Sequence, residues 1–307
     1  MSAIENHAGL NISNSGLQVV EVNIVDDEFQ LVNVDESAFT EIIDFENDGI
    51  SKINSIIQDA FEKLQLRKKL NCLPVSFSFP DEITHSIIIP FDKNLHHHEL
   101  IKYIEWEFSV LQPYLKTNDL VIRYFETKSE SNSNSGELLV FAFEKKYFSM
   151  LDSFCIKNGL ILKHVDNSSI SAERTLPSKH NQLNAEITLS VCLDDKFISF
   201  FLLNDNRPFF YRAYIYKSTN DILKLFDEIF SSQALNKLSS QLSSVYLSGS
   251  GLTKILVQIL NSSFVLDFIE FNPFDKIKPS PMLYENKLFL EKYGSFAAAA
   301  GLVLKLY

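Results

Sequence analysis

Gly9–Val22 (GLNISNSGLQVVEV) and the residues that follow it decide how the chain is read. Val20, Val22 and Ile24 alternate with polar neighbours, Asp26-Asp27 supply a turn, and Phe29 and Leu31 continue the pattern. Ile12 to Val34 therefore reads as two strands of a hairpin. From Ile50 the period changes. Ile53, Ile56, Ile57, Ala60, Phe61 and Leu64 recur at helical intervals, and Arg67-Lys68-Lys69 close the run where positive charge suits the helix dipole. The order returns in the second half. Ile187–Leu193, Lys196–Leu203 and Phe209–Tyr216 read as strands with turns at Asp194-Asp195 and Asn204-Asp205-Asn206, and helix Asn220–Phe230 follows. Strands followed by a helix, twice over, suggest two related lobes.

Between the halves, Val75, Phe77 and Phe79 alternate with serines after Pro74, and Ile83, His85, Ile87 and Ile89 form a second strand up to Pro90. Glu99–Leu111 is an amphipathic helix with Leu100, Ile104, Phe108 and Leu111 on one face, closed by Pro113. Ser129–Gly136 (SESNSNSG) reads as a hairpin tip between strands Leu120–Phe125 and Leu138–Phe143. Helix Lys145–Asn158 stops at Gly159, and strand Leu160–Val165 returns from it. Residues 80–160 thus form a β-α-β-β-α unit. The Ser/Asn-rich passage Asp166–Asn184 holds a short helix around Ile170–Leu176, and the lobe boundary is placed near Leu183. Strand Val245–Leu247, the turn Ser248-Gly249-Ser250-Gly251, helix Thr253–Leu260 and strand Phe264–Ile269 complete the second half. Periodicity alone describes a two-lobed α/β protein with mixed sheets.

A length of 307 residues, 46% of them hydrophobic, supports about two cored domains. The net charge of -11 argues against a nucleic-acid binder that neutralises phosphates, and suits a cationic partner. Cys72, Cys155 and Cys192 are odd in number and far apart, which fits neither a disulfide framework nor a zinc spacing and points to a reducing compartment. Met1–Leu10 lacks a secretory pattern, and Phe296–Leu304 is about half of the roughly 20 apolar residues that a spanning helix needs. A cytoplasmic protein that meets a membrane only through a partner is expected.

Few motifs carry chemistry. The Ser248–Gly251 turn suits an anion, because glycines let backbone amides approach a ligand at a helix start. By itself it is equally a tight turn. His96-His97-His98 point about 100° apart on a helix and do not converge on one metal; they read as an exposed helix start. Glu105 and Glu107, two apart, do not share a helical face and make no glycosidase-type pair. Walker A, Gly-x-Gly-x-x-Gly, Gly-x-Ser-x-Gly and His-Glu-x-x-His patterns do not occur. The 26 phenylalanines and 11 tyrosines lack interleaved basic residues and read as core rather than as a platform for stacked bases.

Gly9–Val22 also resembles the first phosphate-loop hairpin of actin-like ATPases, specifically the PilM family of type IV pilus assembly. Val75–Pro90, Glu99–Leu111, Leu138–Phe143, Gly159–Asp166, Arg212, Leu247–Leu252, Asn272-Pro273-Phe274 and Phe296–Leu304 resemble PilM segments in the same order. The cytoplasmic domain of GspL is similar too, but continues into a transmembrane helix. The resemblance implies an α/β, actin-like (ribonuclease-H-like, duplicated) two-lobed fold with a small inserted α+β subdomain, called 1C in FtsA. On it, residues 1–79 and 160–182 form the first lobe, with the C-terminal helix of about 296–307 packing back on it. Residues 80–159 form the insert and 183–295 the second lobe.

The resemblance further implies a cytoplasmic scaffold of a pilus or type II secretion-like machine. Its partners would be a PilN-type bitopic inner-membrane protein, bound through its cytoplasmic N-terminal peptide, and other assembly proteins. In the family that peptide lies in a groove between the first lobe and the insert. ATP and Mg²⁺ are the implied cofactors. The candidate nucleotide contacts are Asn11, Ser13, Asn14 and Ser15 in the first loop and Gly249, Ser250 and Gly251 in the adenosine-side turn. The loops depart from the family pattern. Asn11 and Ser13 stand where an Asp and a Gly are usual, Gln18 replaces a Lys, and Ser190-Val191-Cys192 lacks the Asp-x-Gly of a second phosphate loop. An amide does not orient hydrated Mg²⁺ as a carboxylate does, so a pseudo-ATPase with no catalytic or metal-binding residue is expected. The alternative is an active ATPase or sugar-kinase-like phosphotransferase with Asp194 or Asp195 supplying the carboxylate. An FtsA-like filament former ranks third, for want of an extended amphipathic tail after Leu304.

Overall fold

The structure is a computed structural model that describes residues 6–25, 28–127, 134–177, 187–204, 207–232, 242 and 244–305. The expected turns at Asp26-Asp27 and Asp205-Asn206, the boundary at Leu183 and most of Ser129–Gly136 lie outside the described residues.

Two sheets repeat one topology. In the first, strands β1 (His7–Ile12), β2 (Gly16–Val25) and β3 (Glu28–Ala38) are antiparallel, and β4 (Pro74–Phe79) and β8 (Ile161–Asn167) extend the other side of β1 in parallel. The order is β3-β2-β1-β4-β8, with the two-residue β14 (Lys278–Pro279) added beyond β3. In the second, β9 (Ile187–Leu193), β10 (Phe197–Asn204) and β11 (Arg207–Ile215) are antiparallel, and β12 (Ser244–Ser248) and β13 (Asp267–Glu270) continue in parallel from β9. The order β11-β10-β9-β12-β13 matches the first sheet strand for strand.

The reading of Ile12–Val34 as two strands misses β1. All six residues of β1 are buried, because it lies between β2 and β4 with a helix layer on each face. A strand covered on both faces has no polar-out alternation to detect.

Helix α1 (Ile50–Arg67) packs Ile53, Ile56, Ile57, Ala60, Phe61 and Leu64 on one face of the first sheet. Helix α3 (Lys145–Asn158) lies beside it: Tyr147, Met150, Leu151, Phe154 and Cys155 join the same core, with the Phe154 ring 5.2 Å from Phe61 and 5.8 Å from Phe77. Burial of each such large side chain contributes roughly 1.5–3 kcal/mol, so this face binds α3 to the first lobe. The expected insert of 80–159 contains this helix and also a sheet of its own. The separate sheet comprises β5 (His85–Asp92), β6 (Leu120–Glu126) and β7 (Ser135–Glu144) in the order β5-β7-β6. Helix α2 (His97–Leu111) covers one of its faces through Leu100, Ile104 and Phe108. It ends at Glu144, where α3 begins.

The other face of the first sheet receives the C-terminal helix α8 (Ala297–Leu304), which also packs on α4 (Ser168–Glu173). Two glycines make the approach possible. A Cβ on Gly9 would lie 2.1 Å from the Ala299 carbonyl oxygen, and one on Gly301 would lie 1.7 Å from that of Ser171. Helices α5 (Thr219–Ser231) and α6 (Lys254–Ser263) cover the outer face of the second sheet. Its inner face, with Phe201, Leu203, Tyr211 and Tyr246, meets Phe141 of the insert and Ile170 of α4 in a core shared by all three parts. One further helix, α7 (Lys287–Glu291), precedes α8. No helix among the described residues is long and apolar enough to cross a membrane.

Candidate functional site

The duplicated topology places equivalent turns opposite each other: Ser13–Ser15 between β1 and β2, and Asp194–Lys196 between β9 and β10. Between them lies a cleft of about 420 Å³, lined by Ser13, Ser15, Asp195, Gly249 and Ser250 among others.

The first turn is held by its own side chain. Ser13 Oγ accepts the backbone N–H groups of Ser15 and Gly16, each at 3.1 Å, a local bond that serine commonly makes in turns. Across the cleft, Asp195 Oδ2 accepts the Ser13 hydroxyl at 3.1 Å and the Ser15 amide at 3.0 Å. Its other oxygen accepts the Ser250 hydroxyl at 3.3 Å, which places Ser250 between two carboxylates, since it also donates to Asp194 Oδ1 at 2.7 Å.

Asp194 is buried. Burial and the Asp195 charge push its carboxyl up to about 7, against the opposing pull of the Ser250 hydroxyl and the Asp195 amide. The glycine turn is sterically obligatory. Gly249 has φ 109°, and a Cβ there would lie 2.0 Å from the Leu193 carbonyl oxygen. The Gly251 amide donates to that same carbonyl, and a Cβ on Gly251 would meet Tyr216 Oη at 2.6 Å.

The seven candidate contacts divide. Ser13, Ser15, Gly249 and Ser250 line the cleft, whereas Asn11, Asn14 and Gly251 do not. Asn11 is buried, with Oδ1 accepting the hydroxyls of Ser78 and Ser168 at 2.8 Å each and Nδ2 donating to Gln18 Oε1 at 3.2 Å. Gln18 donates in turn to Ser295 Oγ at 3.3 Å. Asn11 and Gln18 therefore form a neutral amide pair. Asn14 is fully buried and ties the turn to the Ile43 carbonyl at 2.9 Å and to Glu82.

Mg²⁺-nucleotide, implied by the fold family, does not fit these residues. The Ser13 hydroxyl and the Ser15 amide already serve a carboxylate. The lining also sets Glu36, Asp195, Glu270 and Glu291 against only Lys254 and Lys292, and Lys292 is paired with Glu36 at 2.8 Å. Such a field repels polyphosphate. No cluster of metal-ligating side chains occurs among the described residues, and His96, His97 and His98 are exposed at the start of α2, where His97 bonds the Tyr124 hydroxyl.

A second concavity, of about 250 Å³, lies between the insert and the first lobe. Val121 and Ile122 of β6, Phe141 and Phe143 of β7, Phe148 of α3 and Ile170 of α4 make it apolar. Two sheet edges border it, since β6 ends the three-stranded sheet and β8 the six-stranded one. At its side, buried Asp166 accepts Arg123 at 3.0 Å, Arg174 at 2.6 Å and Lys305 at 3.0 Å. Burial opposes the charge on Asp166, but the Arg174, Arg123 and Lys305 charges outweigh it and hold the carboxyl below its usual range. Sequence reading named none of these groove residues. They come from positions 121 to 305, and no local pattern joins them.

No family model and no curated protein sequence matches the chain. Solved structures do. A chain of a PilM-PilN type IV pilus biogenesis complex matches with a TM-score of 0.78 at 16% identity, covering 97% of this chain and 98% of that one. A Bacteroides thetaiotaomicron protein with an actin-like ATPase fold and unknown function matches with a TM-score of 0.52 at 12% identity, covering 87% and 91%. The cytoplasmic domain of EpsL, from the Vibrio cholerae type II secretion system, gives a TM-score of 0.48 at 9% identity, covering 88% and 98%. The chain therefore has the actin-like ATPase fold, shared over almost its whole length with a chain of a type IV pilus biogenesis complex.

Proposed function

We propose that the protein is a cytoplasmic actin-like scaffold of a type IV pilus or type II secretion-like machine, binding the cytoplasmic N-terminal segment of a PilN-type inner-membrane protein without hydrolysing ATP. It would reach the inner membrane only through that partner. The observation that carries this reading is the end-to-end likeness to the PilM-PilN structure, at a TM-score of 0.78.

The groove between insert and first lobe is where the segment would bind. It is apolar and framed by two sheet edges, a setting in which an extended peptide gains main-chain bonds at an edge and side-chain burial in the groove. The ATPase or phosphotransferase alternative has less support. Asp194 does not line the cleft, and Asp195 Oδ2 already accepts the Ser13 hydroxyl and the Ser15 amide.

The test uses a synthetic peptide of the cytoplasmic N-terminal segment of the PilN-type protein from the same genome. Fluorescence anisotropy should show saturable binding, weakened at least about tenfold (about 1.4 kcal/mol) by Phe148→Glu, because a charge in that wall would be buried against the peptide. Phe148 is 41% exposed, so the variant should fold. Undiminished binding by Phe148→Glu would remove the groove from the account, and no binding by the wild type would remove the partner.

A further inference from the structure

Two donors of the first turn are used by one residue of the opposite lobe. The Ser13 hydroxyl and the Ser15 amide converge on a single carboxylate oxygen of Asp195, at 3.1 and 3.0 Å. Two donors converging on one anionic oxygen is the arrangement that a bound phosphate or carboxylate would receive. Asp195 is itself aimed from its own lobe, where Ser250 holds its other oxygen at 3.3 Å and its backbone amide donates to Asp194 at 3.0 Å.

The lobes are also joined through buried groups. Tyr211 of β11 donates to Asp81, just after β4, and Ser169 of α4 bonds Ser199 of β10. Those contacts have no access to solvent. Asp195 is exposed, so its bonds are the cross-lobe contacts that an external anion could replace.

We propose that Asp195 is the chain's own ligand for the anion cradle at Ser13 and Ser15: it fills the place of a phosphate and clasps the two lobes in a closed arrangement that needs no nucleotide. A cleft that would otherwise be gated by an external anion is thereby set permanently to its bound state, and the surfaces shaped by lobe closure are available without ATP. The clasp is independent of which partner the groove takes.

The experiment compares the wild type, Asp195→Ala and Asp195→Asn, with inorganic pyrophosphate as the probe. Differential scanning fluorimetry reads anion binding and small-angle scattering reads lobe opening. The wild type should be indifferent to pyrophosphate. Asp195→Ala should scatter as a more open particle and be stabilised by pyrophosphate as the freed donors take it up. Asp195→Asn keeps an acceptor oxygen without the charge and should respond less than Asp195→Ala but more than the wild type. It also serves as the folded comparison should Asp195→Ala not fold. A wild type stabilised as much as the variants, variants as indifferent as the wild type, or an Asp195→Ala that scatters like the wild type would each overturn the proposal.

Discussion

The turn Ser13–Ser15 and the turn Asp194–Lys196 hold the same place in two sheets of the same strand order, yet their chemistry is opposite. The first presents donors, a hydroxyl and a backbone amide; the second presents an acceptor, the Asp195 carboxylate. Duplication of the fold sets the turns face to face, and complementary side chains let them satisfy each other. On the proposed reading, a carboxylate on one turn fills from within the place that an external anion would take at the other.

The largest way to break this comparison is to displace the second turn. Gly249→Val puts a branched side chain at φ 109° and on the Leu193 carbonyl, so it should destabilise the fold by about 3 kcal/mol or more in chemical denaturation. Retention of full stability would show that the turn is not held as described.

A smaller effect sharpens the contrast. Asp194 has its carboxyl raised to about 7, so the folded chain binds this proton more readily than the unfolded chain does. The stability that the proton confers is present near pH 4 and is lost as pH climbs through about 7. Asp194→Asn keeps the acceptor for Ser250 and removes the charge. It should flatten the fall in melting temperature over that interval and exceed the wild type at pH 8 by on the order of 2 kcal/mol. Identical pH profiles for the two proteins would contradict the placement of Asp194.

Much of the fold was legible. The period of α1, the alternation of Val75, Phe77 and Phe79, and the block from Ile187 to Tyr216 are seen in place, because each segment's apolar pattern matches the face it buries. β1 was obscured by burial on both faces. α3 lies within the expected insert and packs on the first sheet, since a helix's sequence shows that it has an apolar face but not which sheet receives it.

At the site, the resemblance brought together four residues that do line one cleft, Ser13, Ser15, Gly249 and Ser250. It also named Asn11 and Asn14, whose side chains turn inward to buried partners, since a turn's sequence does not say which of its side chains face solvent. Asp195 was visible as a carboxylate near the second loop. Its role depends on the distance between lobes 180 residues apart in sequence, and local patterning carries no such information. The groove was invisible for the same reason, as Arg123, Asp166, Arg174 and Lys305 meet only in three dimensions.

The most direct measurement is calorimetric titration of the wild-type protein with ATP, with and without Mg²⁺. A cleft already occupied by Asp195 should give no binding heat in either condition and no turnover above buffer. Micromolar, Mg²⁺-dependent binding would contradict the account, since it would require ATP to displace Asp195 from Ser13 and Ser15 and a metal to bind where Asn11 and Gln18 form a neutral pair.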